Sequence, residues 1–236
     1  MWQNKFFMKK NNSTEKQLAN IEGNLSKAEH FVEENSKTIF TIIGLIVFIF
    51  VAYFGYNNLY QKPLNEKAQK KLFITEQYFE KDSFLLALNG TKEVQGLLSI
   101  IEDYASTPSG NMAKYYAGIC YLNIGDYANA INILDKYNSD DKLLMSIANM
   151  AIGDAFSEIN QPKEAIEYYE KSIKFHKNII TTPVTLMKCG KIHESEKNFQ
   201  EAINCYEMIK EKYPESDESK TIEKYISNLK YTGNLN

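Results

Sequence analysis

Three stretches of the chain follow one pattern: AGICYLNIGDYANAINIL at residues 117–134, AIGDAFSEINQPKEAIEYY at residues 151–169 and KCGKIHESEKNFQEAINCY at residues 188–206. Within these stretches, Gly118, Gly153 and Gly190 lie 35 and 37 residues apart. An alanine follows each glycine after twelve residues, at Ala130, Ala165 and Ala202. The chain therefore contains an internal repeat.

A repeat length near 34 residues, with small residues at fixed offsets, is typical of stacked helical hairpins. One pair of short helices cannot bury its own apolar face, so each hairpin must pack on a neighbour. The pattern predicts an all-α fold in the form of an α-solenoid. Three full repeats are expected at residues 111–144, 146–179 and 183–216, and Thr182 followed by Pro183 is expected to start the last one.

The segment before these repeats, residues 61–110, is expected to hold a linking helix and a degenerate first repeat. Pro63 is suited to the first position of the linking helix. Residues 77–110 then fit the repeat, with Gly96 where later repeats have alanine and Pro108 at the terminal proline position. Terminal repeats are usually atypical, so we interpret this stretch as a capping repeat.

The chain after the repeats, residues 217–236, carries one apolar stripe. The stripe consists of Ile222, Tyr225, Ile226 and Leu229, and charged residues lie between its members. A solenoid needs a closing helix that is apolar toward the last repeat and polar toward water. We therefore predict a C-terminal capping helix here.

Residues 38–56, TIFTIIGLIVFIFVAYFGY, carry no charge over 19 positions. A helix of this length spans about 28 Å, close to the thickness of the hydrocarbon core of a bilayer. Aromatic residues, which favour the headgroup region, gather at its C-terminal end. The stretch lacks the one-sided apolar stripe of a core helix. A cleaved signal peptide is also disfavoured, because 37 residues precede the stretch and no signal-peptidase site follows it. We predict an N-terminal transmembrane anchor at residues 38–60.

The lysines that flank the anchor leave its orientation open. Two lysines lie within twenty residues before it, and four lie within a similar distance after it. That count favours a cytoplasmic C-terminal domain under the positive-inside rule. Counting the whole N-terminal tail instead gives six lysines before the anchor, and long domains translocate largely regardless of charge.

The N-terminal tail, residues 1–37, contains apolar residues at helical spacing. These residues are Leu18, Ile21, Leu25, Ala28 and Val32. They predict an amphipathic helix, preceded by Thr14 and Gln17 at capping-box spacing. A coiled coil, which would make a homodimer through the tail and the anchor, and a helix on the membrane surface are equal alternatives. Met1 and Met8 are both candidates for the native start.

Composition and charge argue against nucleic-acid binding. The net charge is −3, and all 27 positive side chains are lysines, so no guanidinium group can form bidentate contacts with phosphate or guanine. The chain is 44% hydrophobic and 24% charged, which is ordinary for a globular protein of one to two domains.

Catalytic and metal-binding motifs are not evident in the sequence. His30, His176 and His193 are isolated, without a His-Glu-x-x-His motif, and the eleven glycines form no phosphate-binding loop. His193 is expected in the core or the groove. The cysteines, which are Cys120, Cys189 and Cys205, are expected as buried free thiols and not as a disulfide framework or metal site. A protein that is not an enzyme, without cofactor or metal, is therefore predicted.

The repeats resemble those of the tetratricopeptide-repeat proteins. Matching positions are Gly118, Tyr121, Gly125, Tyr127 and Ala130 in the first repeat, Gly153, Phe156, Ala165 and Tyr169 in the second, and Gly190, Phe199, Ala202, Tyr206 and Pro214 in the third. No repeat has the usual tryptophan near its start, and His193 replaces an aromatic residue. The resemblance covers about half the chain and implies the fold, while members of this family differ widely in function.

The order of tail, anchor, KLFITEQYFEKDSFLLALNG and repeats resembles membrane-anchored tetratricopeptide proteins of Bacteroidetes. It is similar in architecture to the ancillary subunit of the SecYEG translocon. This resemblance implies a single-pass bacterial inner-membrane protein with a cytoplasmic N-terminus and periplasmic repeats. It also implies the Sec translocon and exported polypeptides as partners.

The first helices of such hairpins line a concave groove that can hold a peptide. The predicted groove residues are Met112, Tyr115, Ile119, Leu122, Asn123, Ile147, Met150, Asp154, Glu158, Val184, Met187, Lys191 and Glu194. The alternative is that several of them only pack against flanking helices. Tyr115, Met150 and Met187 occupy the site of the two-carboxylate clamp of chaperone-binding members, so an acidic C-terminal peptide is not the expected ligand.

Two functions remain from the sequence. One is an anchored interaction module that assists protein export or envelope assembly by binding polypeptides in the groove. The other is a structural scaffold or adaptor that organises an inner-membrane complex without binding client chains.

Overall fold

The computed structural model describes residues 30–233, and nearly all of them are helical. The helices are α1 (Ser36–Tyr56), α2 (Lys62–Phe79), α3 (Phe84–Asn89), α4 (Leu97–Asp103), α5 (Pro108–Asn123), α6 (Tyr127–Leu134), α7 (Lys142–Glu158), α8 (Pro162–Phe175), α9 (Thr181–Ser195), α10 (Phe199–Lys212) and α11 (Ser219–Thr232). Residues 30–34 are also helical, and a π-helical turn, Asn57–Gln61, precedes α2. In the described range, one isolated bridge between Gly90 and Gln95 is the only β-structure, so the all-α prediction is confirmed.

The predicted helix of the N-terminal tail lies almost entirely outside the described residues. Of its apolar stripe, only Val32 falls within them. The chain divides into two compact units between Tyr60 and Gln61.

The first unit contains α1, none of whose residues is buried. Large apolar side chains along it are exposed, for example Phe40 at 73% and Phe48 at 72%. Within residues 30–233, the helical run Ser36–Phe79 is the one helix long and apolar enough to cross a membrane by length and composition. A candidate apolar helix therefore stands where the sequence predicts one.

The second unit contains three long hairpins, α5–α6, α7–α8 and α9–α10, followed by α11. The three hairpin loops share one backbone geometry, with a left-handed residue at Gly125, Asn160 and Lys197. In each loop the next residue's N–H donates to a carbonyl five residues earlier, as in Asp126 to Tyr121. This closure satisfies carbonyls at the end of the first helix and reverses the chain.

The glycines and alanines of the repeat lie where the two helices of each hairpin cross. A Cβ atom added to Gly118 would lie 2.3 Å from the Leu134 side chain, and one added to Gly190 would lie 2.3 Å from the Tyr206 ring. Gly153 has the same relation to Tyr169, at 2.6 Å. The alanines twelve residues later, Ala130, Ala165 and Ala202, are fully buried. The predicted hairpins are therefore confirmed.

Two helix starts differ from the prediction. Helix α9 begins at Thr181, because the side chain of Asn178 accepts hydrogen bonds from the N–H groups of Ile180 and Thr181, each at 2.8 Å. Thr182 is instead buried inside the helix. Helix α5 begins at Pro108, where Thr107 Oγ1 accepts a hydrogen bond from Gly110 N–H at 3.0 Å.

The segment before the first long hairpin departs from the predicted repeat at residues 77–110, which hold the end of α2, the short helices α3 and α4, and the start of α5. Gly96 does not occupy the alanine position inside a second helix, because it directly precedes α4. A Cβ atom there would lie 2.3 Å from the carbonyl oxygen of Leu88, so the close backbone approach explains the glycine.

Helix α11 closes the stack against α10. Ile222, Ile226 and Leu229 are at most 4% exposed and share a core cluster with α10 residues such as Ile203 and Ile209. Tyr225 packs at the margin of this cluster. The predicted capping helix is therefore confirmed.

Candidate functional site

The predicted groove residues on α5 are core contacts between the first and second hairpins. Met112, Tyr115, Ile119 and Leu122 are half-buried and pack against a cluster that includes Ile152. Met112 also lines a cavity of about 900 Å³ between α2 and α5. For these four side chains, packing against flanking helices accounts for most of their surface.

The remaining predicted groove residues differ in how far their side chains are buried. Met150 and Met187 pack against core clusters of the second and third hairpins. Half-buried side chains are Ile147, Asp154, Val184 and Glu194, and exposed ones are Asn123, Glu158 and Lys191. The accessible part of the predicted groove is therefore mainly polar.

A polar pocket of about 390 Å³ brings several of these residues together. The first helices of all three hairpins contribute to it. Its predicted members are Leu122, Asp154, Glu158 and Lys191, and its further members are Tyr127, Ser157, Tyr169, Lys188 and Ile192. The pocket spans the three repeats, so its shape depends on how they stack.

Asp154 is held on one side of this pocket by two donors. Lys188 Nζ lies 2.7 Å from Oδ1 and 2.6 Å from Oδ2, and Tyr169 OH donates to Oδ1 at 2.8 Å. Burial raises the pKa of Tyr169, and the Asp154 charge raises it further, so this phenol stays protonated as a donor. Because Lys188 lies on α9 and Asp154 on α7, the ion pair ties neighbouring hairpins together.

Two charged groups in the pocket retain bonding capacity. Glu158 accepts one long hydrogen bond from Tyr127 OH, at 3.4 Å. Lys191 is exposed and makes no ion pair with any residue in the range 30–233. By contrast, Glu194 already accepts a hydrogen bond from Tyr206 OH at 3.2 Å. Within the pocket, Glu158 and Lys191 are therefore the charged groups with bonding capacity left.

A second group of reactive side chains lies in the third hairpin. Cys189 and His193 on α9 and Cys205 on α10 place their potential ligand atoms within 4.8 Å of one another. The neighbouring Cys205 thiol and burial raise the pKa of Cys189, and the neighbouring Cys189 thiol lowers the pKa of Cys205. The Cys189 thiol is buried, as the sequence predicts, whereas Cys205 is only half-buried.

Sequence reasoning missed this cluster, although half of it is visible in the chain. Cys189 and His193 are four residues apart, which places them on one face of a helix. The sequence pattern favours buried free thiols over a metal site, because Cys205 lies twelve residues beyond His193 and only the hairpin brings it back to the same point. Tyr169 and Lys188, the partners of Asp154, were also missed.

Comparisons with known proteins identify the repeats. Models of the tetratricopeptide repeat match residues 147–177, and also residues 112–140 and 185–216. The crystal structure of MamA protein is similar over 72% of this chain and 84% of its own, with 18% identity and a TM-score of 0.52. A kinesin light chain of Podosopora anserina with nearly identical TPR-like repeats covers 72% of this chain and 88% of its own, with 12% identity and a TM-score of 0.53. No curated protein sequence matched the chain.

These findings bear on fold and on the general class of function. The three predicted hairpins are tetratricopeptide repeats, and the solenoid fold is shared with the two solved structures. Tetratricopeptide repeats are protein–protein interaction modules and are typically non-enzymatic. The repeat part of this chain is accordingly an interaction module with protein partners.

Proposed function

We propose that the chain is a membrane-anchored interaction module that holds polypeptides across the first helices of its repeats. The observation that carries this proposal is the polar pocket shared by α5, α7 and α9, in which Glu158 and Lys191 are available to a ligand. Charges of both signs can pair with varied polypeptides. The Lys188–Asp154 ion pair, with side chains only 34% and 23% exposed, keeps the pocket preorganised.

The anchoring part of the proposal rests on α1. Its large apolar side chains are exposed, and leaving them in water costs about 25 cal/mol for each Å². A bilayer would remove this cost, and the uncharged stretch has the length to span one. We assign the anchor to the bacterial inner membrane because the order of tail, anchor and repeats resembles that of membrane-anchored tetratricopeptide proteins.

The client assigned here is a polypeptide in transit or newly exported. Support comes from the resemblance of the layout to membrane-anchored tetratricopeptide proteins, and from an accessible groove that is polar and not a deep apolar slot. Extended chains present backbone and mixed side chains, which such a groove can bind without strict sequence preference.

A photoreactive amino acid in place of Lys191 tests the binding face in intact cells. We expect crosslinks to several exported polypeptides from position 191, because it borders the pocket. The matched control is Lys163, an exposed lysine on α8 outside the pocket, from which such crosslinks should be nearly absent. Equal crosslinking from both positions would contradict the groove. One or two stoichiometric membrane partners would favour the scaffold function instead.

Membrane orientation is tested separately by fusing an export-dependent reporter enzyme after Asn236. We expect the fusion to be active and added protease to digest the repeats in spheroplasts, since the proposal places them in the periplasm. The control is the same reporter fused to the N-terminus, which should be silent. A silent C-terminal fusion, with repeats protected until the membrane is permeabilised, would exclude the export role and favour a cytoplasmic adaptor.

A further inference from the structure

The third hairpin gathers two sulfurs and one imidazole at a single point. Cys189 and His193 lie one helical turn apart on α9, and Cys205 reaches the same point from α10. Their ligand atoms are all within 4.8 Å of one another. The hairpin crossing brings the two helices together, because Gly190, next to Cys189, lies against the ring of Tyr206, next to Cys205.

These donors match the preferences of zinc. Zinc binds thiolate sulfur at about 2.3 Å and imidazole nitrogen at about 2.0–2.1 Å, so tetrahedral ligands lie roughly 3.4–3.8 Å apart. The present spacing of up to 4.8 Å therefore needs a contraction of at most about 1.0–1.4 Å to hold an ion. Two thiolates also neutralise the charge of a divalent cation, which suits a mostly buried position.

The imidazole of His193 supplies an independent observation. Its Nδ1 atom is buried and has no hydrogen-bond partner among the described residues. Buried polar atoms in folded proteins are nearly always paired, so an unpaired atom calls for an explanation, and a bound ion is one of those known. A metal ion bound by this nitrogen would supply the missing partner.

We propose that Cys189, His193 and Cys205 bind one Zn²⁺ ion, which clips α9 to α10. Both thiols release their protons on coordination. The three protein ligands leave the fourth tetrahedral position to water. A disulfide between the two cysteines is the competing use of the same sulfurs, but it would leave the histidine nitrogen without a partner.

Cobalt titration of the full chain, purified in detergent under reducing conditions, tests the site. We expect one equivalent of Co²⁺ to produce a thiolate-to-metal charge-transfer band and intense tetrahedral visible bands, both abolished when Zn²⁺ displaces the cobalt. Zn²⁺ should also raise the melting temperature. Cys205→Ser should weaken Zn²⁺ binding at least about 100-fold, since changes to outer-shell partners alone cost 10–100-fold.

Cys120→Ser is the matched control, because Cys120 is a buried thiol of the first hairpin outside the cluster. It should leave the cobalt spectrum unchanged. If Cys205→Ser fails to fold by circular dichroism, His193→Gln, at a half-buried residue, decides in its place. Three outcomes would each overturn the site: no cobalt bands, equal Zn²⁺ affinity in the ligand variants, or a Cys189–Cys205 disulfide in place of metal in the protein isolated from cells.

Discussion

A chain that ends at Ser216 should melt at a much lower temperature than the full chain, or aggregate. The truncation removes α11, whose Ile222, Ile226 and Leu229 cover the apolar face of the third hairpin. Burial of three such side chains contributes roughly 5–9 kcal/mol before chain entropy is subtracted. Since a whole domain is stable by only about 5–15 kcal/mol, the loss is comparable to the total.

Circular dichroism melting of both chains in the same detergent measures this effect. The control chain ends at Gly233 and keeps all of α11, including the ion pair between Lys210 and Glu223 at 2.7 Å. It should melt like the full-length protein. An unchanged melting curve for the chain ending at Ser216 would show that α11 does not act as a cap.

The hairpins could be predicted from sequence because their cause is local and repeated. The crossing leaves little room, so each hairpin has a glycine in its first helix and a fully buried alanine twelve residues later, as Gly153 and Ala165 show. Because this constraint occurs three times, the repeat length can be determined from the sequence, and the repeat length predicts the fold. The closing helix followed for a similar reason, since a stack must end on a helix with one apolar face.

Helix starts and loop conformations were harder to predict because competing caps exist. At α9 both Asn178 and Thr182 are good capping residues, and only the folded chain shows that Asn178 takes the role. Asn160 and Lys197 adopt the left-handed conformation that Gly125 adopts in the first loop. Lysine has no preference for this conformation, so only its position in the repeat could have indicated it.

The burial of the predicted groove residues could be foreseen only in part, because sequence periodicity assigns residues to helices better than to exact faces. The burial of half-buried residues such as Tyr115 and Ile119 is compatible with lining a groove and with packing in a core. Asp154, one of the predicted groove residues, lines the polar pocket, but its partner Lys188 lies 34 residues away on another hairpin. Such a pairing depends on the stacking of two repeats, which the sequence of either repeat does not encode alone.

Ala165→Leu should destabilise the protein by about 1–3 kcal/mol through overpacking. Ala165 is fully buried at the crossing of α7 and α8, and its carbonyl oxygen lies 3.2 Å from the position of a Cβ on Gly153. The larger side chain would push the two helices apart and disturb Tyr169, whose hydroxyl fixes Asp154. Denaturant unfolding, followed by circular dichroism, gives the change in the free energy of unfolding.

Lys163→Leu is the matched control, because it places the same side chain two residues away on the exposed surface of α8. Its effect should lie within about 0.5 kcal/mol of zero, as for most surface substitutions. The difference in unfolding free energy between the two variants thus separates the effect of overpacking at the crossing from the effect of leucine itself. Equal destabilisation by both would mean that the alanine positions do not mark the helix crossings, and that the stacking of the repeats has another basis.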